Sequence, residues 1–171
     1  MLKQARPNQA HLALAKLEQM GELRAIITQN IDGLHTKAGS RDVIELHGSL
    51  RKILCLACRK QFTAPDIPTG MPPKCDCGGI LKPDTVLFGE QLPAQALEAA
   101  YEAAMTCRSM LVVGTSAVVY PAAALPGLAK QHGAVIIENN IENAFGDADF
   151  TLPEPAATAL PRLASEIIRP N

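Results

Sequence analysis

Short apolar strands alternate with amphipathic helices along most of this chain, and no other feature of the sequence restricts the fold as much. The apolar pattern predicts strands at residues 24–28, 43–46, 110–114, 134–137 and 149–152. It predicts helices at residues 7–20, 93–106, 125–132 and 158–168. Continuous apolar strands separated by helices are typical of a parallel sheet that is covered by helices on both faces. The sequence therefore predicts an α/β fold.

Polar or glycine-rich segments follow four of the predicted strands. They occupy residues 29–33, 47–49, 114–116 and 139–140. In an open parallel sheet, ligands bind at the carboxyl ends of the strands. We therefore expect these segments to line one ligand-binding crevice.

Residues 51–82 depart from this pattern, because they contain four of the five cysteines, several prolines and glycines, and little hydrophobic periodicity. Such a segment cannot bury a core of its own, and we expect it to fold around a metal ion. A Cys-x-x-Cys pair and, after 16 intervening residues, a Cys-x-Cys pair offer four thiolates to a tetrahedral ion. The predicted ligands are Cys55, Cys58, Cys75 and Cys77.

Four thiolates leave no open coordination position, so we expect a single structural Zn²⁺ without a catalytic role. Two disulfides or unligated thiols are one alternative, and iron in place of zinc is another.

The composition argues against several classes of protein. The net charge of −1 gives no general attraction to nucleic acid or to anionic membranes, and we expect neither as a partner. No apolar run is long enough to span a bilayer, and the first eight residues lack the apolar segment of a secretory signal. We therefore expect a reducing, cytoplasmic compartment, where close cysteine pairs point to metal before disulfides. The sequence does not indicate whether the protein forms oligomers.

A histidine and a nearby amide–carboxylate pair are the candidate reactive groups. His47 ends a predicted strand ahead of a glycine, so its ring can face the crevice and transfer a proton, although a lone histidine can also be structural. Asn30 and Asp32 flank Ile31 and suit a carboxamide ligand, which needs both a donor and an acceptor. The alternative is a turn that Asp32 closes, and the two interpretations can hold together. His11, on the first helix, is expected to pack or to cap.

Five motifs in a fixed order carry the most specific information. They are Thr28-Gln29-Asn30-Ile31-Asp32-Gly33-Leu34-His35, Glu45-Leu46-His47-Gly48-Ser49, the paired cysteines, Lys82-Pro83-Asp84-Thr85-Val86-Leu87-Phe88-Gly89-Glu90 and Gly114-Thr115-Ser116. Together they resemble the signature of the sirtuin family of NAD-dependent protein-lysine deacylases. The helix that begins Pro7-Asn8-Gln9-Ala10-His11 matches as well, so the resemblance covers essentially the whole chain.

The resemblance implies a Rossmann-like NAD-binding domain at residues 1–50 and 84–171 and a small zinc-ribbon module at residues 51–83. It implies His47 as the catalytic base. The implied NAD contacts are Gln29, Asn30, Ile31, Asp32, Gly114, Thr115, Ser116, Asn140 and Ala156. The implied contacts to an acyl-lysine peptide, which binds as an added strand, are Val86, Phe88, Gly89, Glu90, Val118 and Val119.

The implied reaction removes acyl groups, acetyl first among them, from protein lysine and gives nicotinamide, O-acyl-ADP-ribose and free lysine. In this family the acyl oxygen attacks the anomeric carbon of the ribose as nicotinamide leaves into the pocket of Asn30 and Asp32. The catalytic base, His47 here, then removes a proton from the ribose hydroxyls, which attack the imidate carbon.

The chain differs from the family in one respect. Sirtuins open with a strand and a Gly-Ala-Gly-x-Ser loop, and this chain begins after both. We therefore expect the first strand and the glycine loop to be missing, a sheet edge and an apolar face to be exposed, and NAD to bind the isolated chain poorly. A gene fragment, a start codon placed too late and a genuinely short chain are three explanations. Acyl-group preference is not predicted, because the residues that set it fall ahead of Met1.

Two other functions stay open. One is a catalytically weak or inactive sirtuin-like fragment that binds lysine-bearing peptides; the intact reactive groups argue against it. The other is a zinc-ribbon nucleic-acid binder, and the basic residues that would serve it are Arg51, Lys52, Arg59 and Lys60. Few aromatic residues are available there for stacking on bases.

Overall fold

The computed structural model describes residues 5–63, 72–87 and 89–169. The helices are α1 (Gln9–Gln19), α2 (Leu34–Ala38), α3 (Ala94–Thr106), α4 (Leu125–Gln131) and α5 (Ala156–Ile168), with a short 3-10 helix at Ala122–Ala124. The strands are β1 (Ile26–Thr28), β2 (Val43–Glu45), β3 (Gly48–Cys55), β4 (Gln61–Thr63), β5 (Leu81–Thr85), β6 (Ser109–Val113), β7 (Val135–Asn139) and β8 (Phe150–Leu152). None of the helices in these ranges is both long and apolar enough to cross a membrane.

The predicted apolar strands are parallel, and they form two separate sheets. Strand β1 pairs with β2, and Ile26 lies opposite Val43. Strands β6, β7 and β8 form a second sheet in that order, and Ser109 lies opposite Val135. Within the described residues, neither β1 nor β6 has a second strand neighbour.

Two helical layers cover both sheets, because neighbouring residues of each strand face opposite sides. Ile26 packs in one core with α1 and α5, and Leu111 of β6 packs against the same core. Ile27 packs against the other core, which contains residues of α3 and α4 together with Val112 of β6. Helices therefore lie on both faces, which confirms the predicted α/β fold.

Helix α1 shows how the local sequence sets an element. Asn8 is the N-cap residue, since its side-chain oxygen accepts hydrogen bonds from the backbone N–H groups of Ala10 and His11 at 3.0 and 3.2 Å. The side chain of His11 binds back to Asn8, which confirms the predicted capping role. The predicted apolar stripe is buried, and its members are Ala10, Ala13, Leu14 and Leu17.

The apolar spacing of the sequence predicts Leu160, Leu163 and Ile167 on the inward face of α5, and this prediction is partly wrong. Leu160 is buried and Leu163 packs against the core, as the sequence predicts, but Ile167 is 44% exposed. Leu160, Ala164 and Ile168 recur every four residues and face α1, so Ile168 takes the place expected for Ile167.

The cysteine-rich segment contains an antiparallel sheet of order β4-β3-β5. Strand β3 pairs with β5 from Gly48 to Cys55, with a register shift between Ser49 and Ile53. One continuous strand therefore links the residue after His47 to the first cysteine. The division of the chain into residues 1–50 with 84–171 and residues 51–83 stays a prediction.

Candidate functional site

His47 lies beside the loop that follows β1. Its Nδ1 is 3.0 Å from the backbone oxygen of Gln29. A carbonyl oxygen only accepts, so Nδ1 carries the proton and donates it, and Nε2 of the neutral ring keeps its lone pair. The ring is only partly buried. The arrangement leaves Nε2 as the atom that can accept a proton from a bound molecule.

Gly48 allows the chain to turn directly after His47. Its φ of +72° lies in the left-handed region, and a Cβ atom there would be 2.0 Å from the backbone oxygen of Asp84. No other residue fits against β5 at this point. The position of His47 therefore depends on a glycine at its side.

Backbone hydrogen bonds tie the loop after β1 to the segment around His47. The N–H of Leu46 donates to the oxygen of Thr28, and the N–H of Leu50 donates to the oxygen of Ile31, both at 3.0 Å. The hydroxyl of Thr28 accepts from the N–H of Asn30 at 3.1 Å. The predicted candidates Gln29, Asn30 and Ile31 are thereby fixed relative to His47.

Asp32 closes a turn, which is one of the two interpretations that the sequence allows for this residue. Its Oδ1 accepts a hydrogen bond from the N–H of Leu34 at 2.9 Å, at the start of α2. The side chain is only partly buried. A turn through Oδ1 is compatible with a ligand role for the carboxylate, and this ligand role stays a prediction for Asp32 and Asn30.

Arg51 stabilises the same loop, and sequence reasoning assigned it no such contact. Its guanidinium donates to Thr36 Oγ1 at 3.2 Å and lies 3.8 Å from a carboxylate oxygen of Glu45. It also covers Gly33, where an added Cβ would be 2.6 Å from Arg51 Nε. The sequence marked Arg51 only as part of a basic cluster near the cysteines.

The ends of β6 and β7 are joined by hydrogen bonds. The N–H of Gly114 donates to the backbone oxygen of Asn139 at 3.0 Å, and Asn140 Nδ2 donates to the backbone oxygen of Thr115 at 2.7 Å. Ser116 lies in the loop that follows. Ala156 is the first residue of α5 and packs against the core of α1 and β1. The structure thus brings the candidates of the β6 loop together with Asn140.

The first predicted peptide-binding segment lies next to His47. The N–H of Val86 donates to the backbone oxygen of His47 at 3.0 Å. Glu90 holds the following turn, because its carboxylate accepts from the N–H of Leu87 at 3.0 Å and from Lys82 Nζ at 2.7 Å. These bonds, led by the one from Lys82, keep the pKa of Glu90 below its ordinary value. Gly89 lies in this turn, and Phe88 lies outside the described residues.

The second predicted segment follows the β6 loop and is open to solvent. Val118, Val119 and Tyr120 are 69%, 42% and 75% exposed. Three neighbouring apolar side chains with this exposure are unusual unless a partner covers them.

The four predicted metal ligands converge on one point. All four sulfur atoms lie within 4.8 Å of one another. Cys55 Sγ is 3.5 Å from Cys77 Sγ, and Cys58 Sγ is 3.7 Å from Cys75 Sγ. A disulfide needs about 2.05 Å, so these pairs are thiols, whereas four sulfurs about 2.3 Å from one ion would stand at such separations.

The surroundings of the cysteines fit a metal ion. A Cβ on Gly79 would be 2.7 Å from Cys55 Sγ, so only glycine leaves room beside the sulfurs. The N–H of Cys58 is the main cause that lowers the pKa of Cys55 to about 6, and this favours a thiolate. The N–H of Lys60 lowers the pKa of Cys58, but the neighbouring thiols and burial outweigh it and raise this pKa to about 12. A bound cation would displace the remaining protons, as thiolate ligation requires.

Comparison with known proteins gives one consistent result. The family model described as Sir2 family matches residues 1–121. NAD-dependent protein deacylase 2 of Pyrobaculum aerophilum is 48% identical over 168 residues, which are 96% of this chain and 68% of that protein. An NAD-dependent protein deacetylase of Saccharolobus solfataricus is 42% identical over 175 residues, which cover 97% of this chain and 69% of the relative.

A solved structure of a Sir2 protein with a p53 peptide and NAD⁺ has the same fold. It superposes with a TM-score of 0.90 at 39% sequence identity, over 96% of this chain and 72% of the other. The match of a family model to more than half of the chain, the close relatives and this structure agree with the motifs around His47 and the four cysteines. The chain belongs to the Sir2 family.

Proposed function

We propose that this protein removes acyl groups, acetyl first among them, from lysine side chains of proteins and consumes NAD in the reaction. One water is also consumed, and the products are nicotinamide, O-acyl-ADP-ribose and free lysine. The observation that carries the proposal is the hydrogen bond from His47 Nδ1 to the oxygen of Gln29. It fixes the proton-accepting nitrogen of an imidazole that lies beside this loop and the end of β5. The relatives named as a deacylase and a deacetylase support the same activity.

His47 acts as the general base. When NAD is bound, it supplies a ribose that takes up the acyl group and a nicotinamide that leaves. Nε2 of His47 accepts a proton from a ribose hydroxyl, and an imidazole suits this step because its ordinary pKa lies near neutrality. The hydrogen bond at Nδ1 holds the ring and stabilises the charge that forms on it.

The loop after β1 and the ends of β6 and β7 are the proposed NAD site. Asn30 and Asp32 would take the carboxamide of the nicotinamide, with Ile31 between them and Gln29 near the ribose. Gly114, Thr115, Ser116 and Asn140 would hold the phosphates and the adenosine ribose, and Ala156 would contact the adenine. The fit is supported by the hydrogen bonds that join the β6 and β7 ends and hold Asn140 beside Thr115 at the carboxyl edge of the sheet.

An acyl-lysine peptide would bind as an extra strand between two segments. One contains Val86, Gly89 and Glu90, together with Phe88, and its backbone is bonded to His47. The other contains the exposed Val118 and Val119. Strand addition reads mainly the peptide backbone, so broad protein specificity follows. The Sir2 protein of known structure that holds a p53 peptide with NAD⁺ supports a peptide as the substrate.

The ion at Cys55, Cys58, Cys75 and Cys77 would be a structural Zn²⁺. Its four sulfur ligands leave no position for substrate, so it has no part in the reaction. Free thiols at all five cysteines support a reducing, cytoplasmic compartment.

A product assay with one substitution tests the function. The protein is incubated with NAD and an acetyl-lysine peptide, and O-acetyl-ADP-ribose is measured by mass spectrometry. His47→Ala is expected to lower product formation by ~10²–10⁴-fold, the range that a general base contributes. His132→Ala, at the end of α4 where the ring binds the oxygen of Leu128, is the matched control and should keep full activity.

Equal product from wild type and His47→Ala would refute the proposed role of His47. Binding of the acetylated peptide without any product from wild type would favour the alternative function, a peptide-binding protein without turnover.

A further inference from the structure

Glu138 is a buried carboxylate near the end of a mostly apolar strand. It lies in β7, after Ile136 and Ile137, and its exposed fraction is 0%. Among the described residues it is the only charged side chain that is fully buried. No role is assigned to it by the motifs or by the proposed reaction.

One oxygen of this carboxylate organises the loop that follows β7. Glu138 Oε1 accepts hydrogen bonds from the N–H of Ala144 at 2.7 Å and from the N–H of Phe145 at 3.1 Å. Asn140 Nδ2 is a third donor at 3.5 Å. The other oxygen, Oε2, is buried and has no partner within the described part of the chain.

The same asparagine links Glu138 to the end of β6. Asn140 Nδ2 donates at 2.7 Å to the backbone oxygen of Thr115, while it also faces Glu138. Three residues on two strand ends therefore form one chain of contacts. Asn140 is in the middle, between Thr115 and the buried Glu138. Asn140 and Thr115 are proposed NAD contacts, and Glu138 is not.

The energetics favour a positioning role for Glu138 over a purely structural one. Burial of a carboxylate is costly, and an apolar side chain of similar volume often serves stability as well or better. The cost is higher here because Oε2 has no donor among the described residues. What an apolar residue could not provide is an acceptor for the two backbone N–H groups and for the amide of Asn140.

We propose that Glu138 is a positioning residue for the adenosine half of NAD. Its carboxylate sets the rotamer of Asn140 and the path of the loop at residues 141–145 before the nucleotide binds. This inference rests on the proposed NAD site. It adds a residue that touches no part of the cofactor and acts through Asn140.

Titration with ADP-ribose, followed by NMR, tests the inference without a turnover assay and measures dissociation constants into the millimolar range. Glu138→Leu is expected to bind ADP-ribose roughly ten-fold more weakly than wild type, as the loss of hydrogen bonds to a charged group predicts. Glu138→Gln keeps an acceptor oxygen and should stay within about three-fold of wild type. Glu98→Leu, at an exposed position of α3, is the matched control and should bind as wild type does.

A double-mutant cycle separates positioning from general destabilisation. In the Asn140→Ala background, Glu138→Leu should have little further effect on ADP-ribose binding, because its influence passes through Asn140. Hydrogen exchange at the amides of Ala144 and Phe145 should accelerate in Glu138→Leu, while the amides of α1 keep their protection.

Three outcomes are decisive. Wild-type ADP-ribose affinity in a folded Glu138→Leu variant would overturn the inference and leave the proposed function intact. Additive effects of Glu138→Leu and Asn140→Ala would also overturn it. Absence of ADP-ribose binding to wild type would overturn the proposed NAD site and the inference with it.

Discussion

A side chain from a distant part of the sequence stabilises the loop that contains Asn30 and Asp32. Arg51 reaches across from β3 to bind Thr36 and to cover Gly33. Gly33 has a φ of +68°, which a residue with a side chain adopts only at a cost. The loop is therefore set both by the backbone freedom of one glycine and by the arginine packed on it.

The substitution Gly33→Ala should lower the free energy of unfolding, measured by urea denaturation. The left-handed backbone alone is expected to cost about 1–2 kcal/mol. A further loss follows because the new Cβ would displace the Arg51 side chain, from which it would be 2.6 Å away.

Two variants check this explanation of Gly33. In an Arg51→Ala background, only the backbone part of the loss should remain when Gly33→Ala is added. Gly127→Ala in α4 has no atom within 4 Å of the new Cβ and should not destabilise the protein. An equal loss from Gly33→Ala with and without Arg51 would show that the contact with Arg51 does not matter.

Residue roles that depend on short spacing could be predicted from the sequence, and roles that depend on chain path could not. The cysteine pairs and the capping contact of His11 with Asn8 involve residues two or three positions apart. Arg51 meets Thr36 across 15 positions, and nothing in the local pattern indicates this contact. Glu138 directly follows the predicted strand at residues 134–137, and its partners depend on the path of the next loop.

At the scale of elements, one carboxylate joins a helix to two strands of the larger parallel sheet. Asp149 precedes β8, and its Oδ2 accepts from the N–H of Ile136 in β7 at 2.8 Å. Its Oδ1 lies 3.2 Å from Nζ of Lys130 in α4. The N–H of Ile136, more than the charge of Lys130, lowers the pKa of Asp149 below its ordinary value.

A lowered pKa makes the contribution of Asp149 depend on pH in a defined direction. The ionised form is favoured in the folded protein, so the stabilisation is complete above the ordinary pKa of about 4 and is lost as the pH falls through the lowered value. Asp149→Asn should therefore have a lower melting temperature than wild type at neutral pH, and the difference should shrink in acid.

The substitution Asp147→Asn is the control for this effect. Asp147 also pairs with Lys130, but 77% of its side chain is exposed, so its removal should change the melting temperature less. A difference between wild type and Asp149→Asn that stays constant into strong acid would contradict the explanation.

The sequence predicted the elements of the parallel sheets well and those of the cysteine-rich segment poorly. Strands β1, β2, β6, β7 and β8 and helices α1, α3, α4 and α5 lie within two residues of most predicted ends. Both faces of these strands are covered, so their apolar runs are long enough to recognise. The sequence did not predict strands β3, β4 and β5 or the short helix α2. Cross-strand pairing and the cysteines define this part of the structure more than apolar periodicity does.

At the scale of the whole molecule, the cysteine cluster and the proposed active site are mechanically connected. Strand β3 runs without interruption from Gly48, next to His47, to Cys55. Its partner β5 leads directly to Val86, whose N–H binds the oxygen of His47. Disturbance at the sulfurs can therefore reach the imidazole through two paired strands.

Removal of the metal by a chelator should make this connection measurable by hydrogen exchange. Metal binding contributes about 10 kcal/mol in small zinc modules, so β3, β4 and β5 are expected to lose protection near the cysteines. The amide of Val86 should also exchange faster, while α1 and α5, which pack on each other in a separate core, keep their protection. Unchanged exchange at Val86 in metal-free protein would show that the two sites are independent.

The placement of Ile26 and Ile27 on opposite sides of β1 has a consequence for how this chain can vary in length. Insertion of one amino acid into such a strand would exchange the two sides, and each isoleucine would meet the wrong helical layer. Length differences among homologous sequences should therefore concentrate in the connections, above all in the stretch between β4 and β5. The three residues of β1 should therefore stay free of insertions and deletions wherever both helical layers are retained.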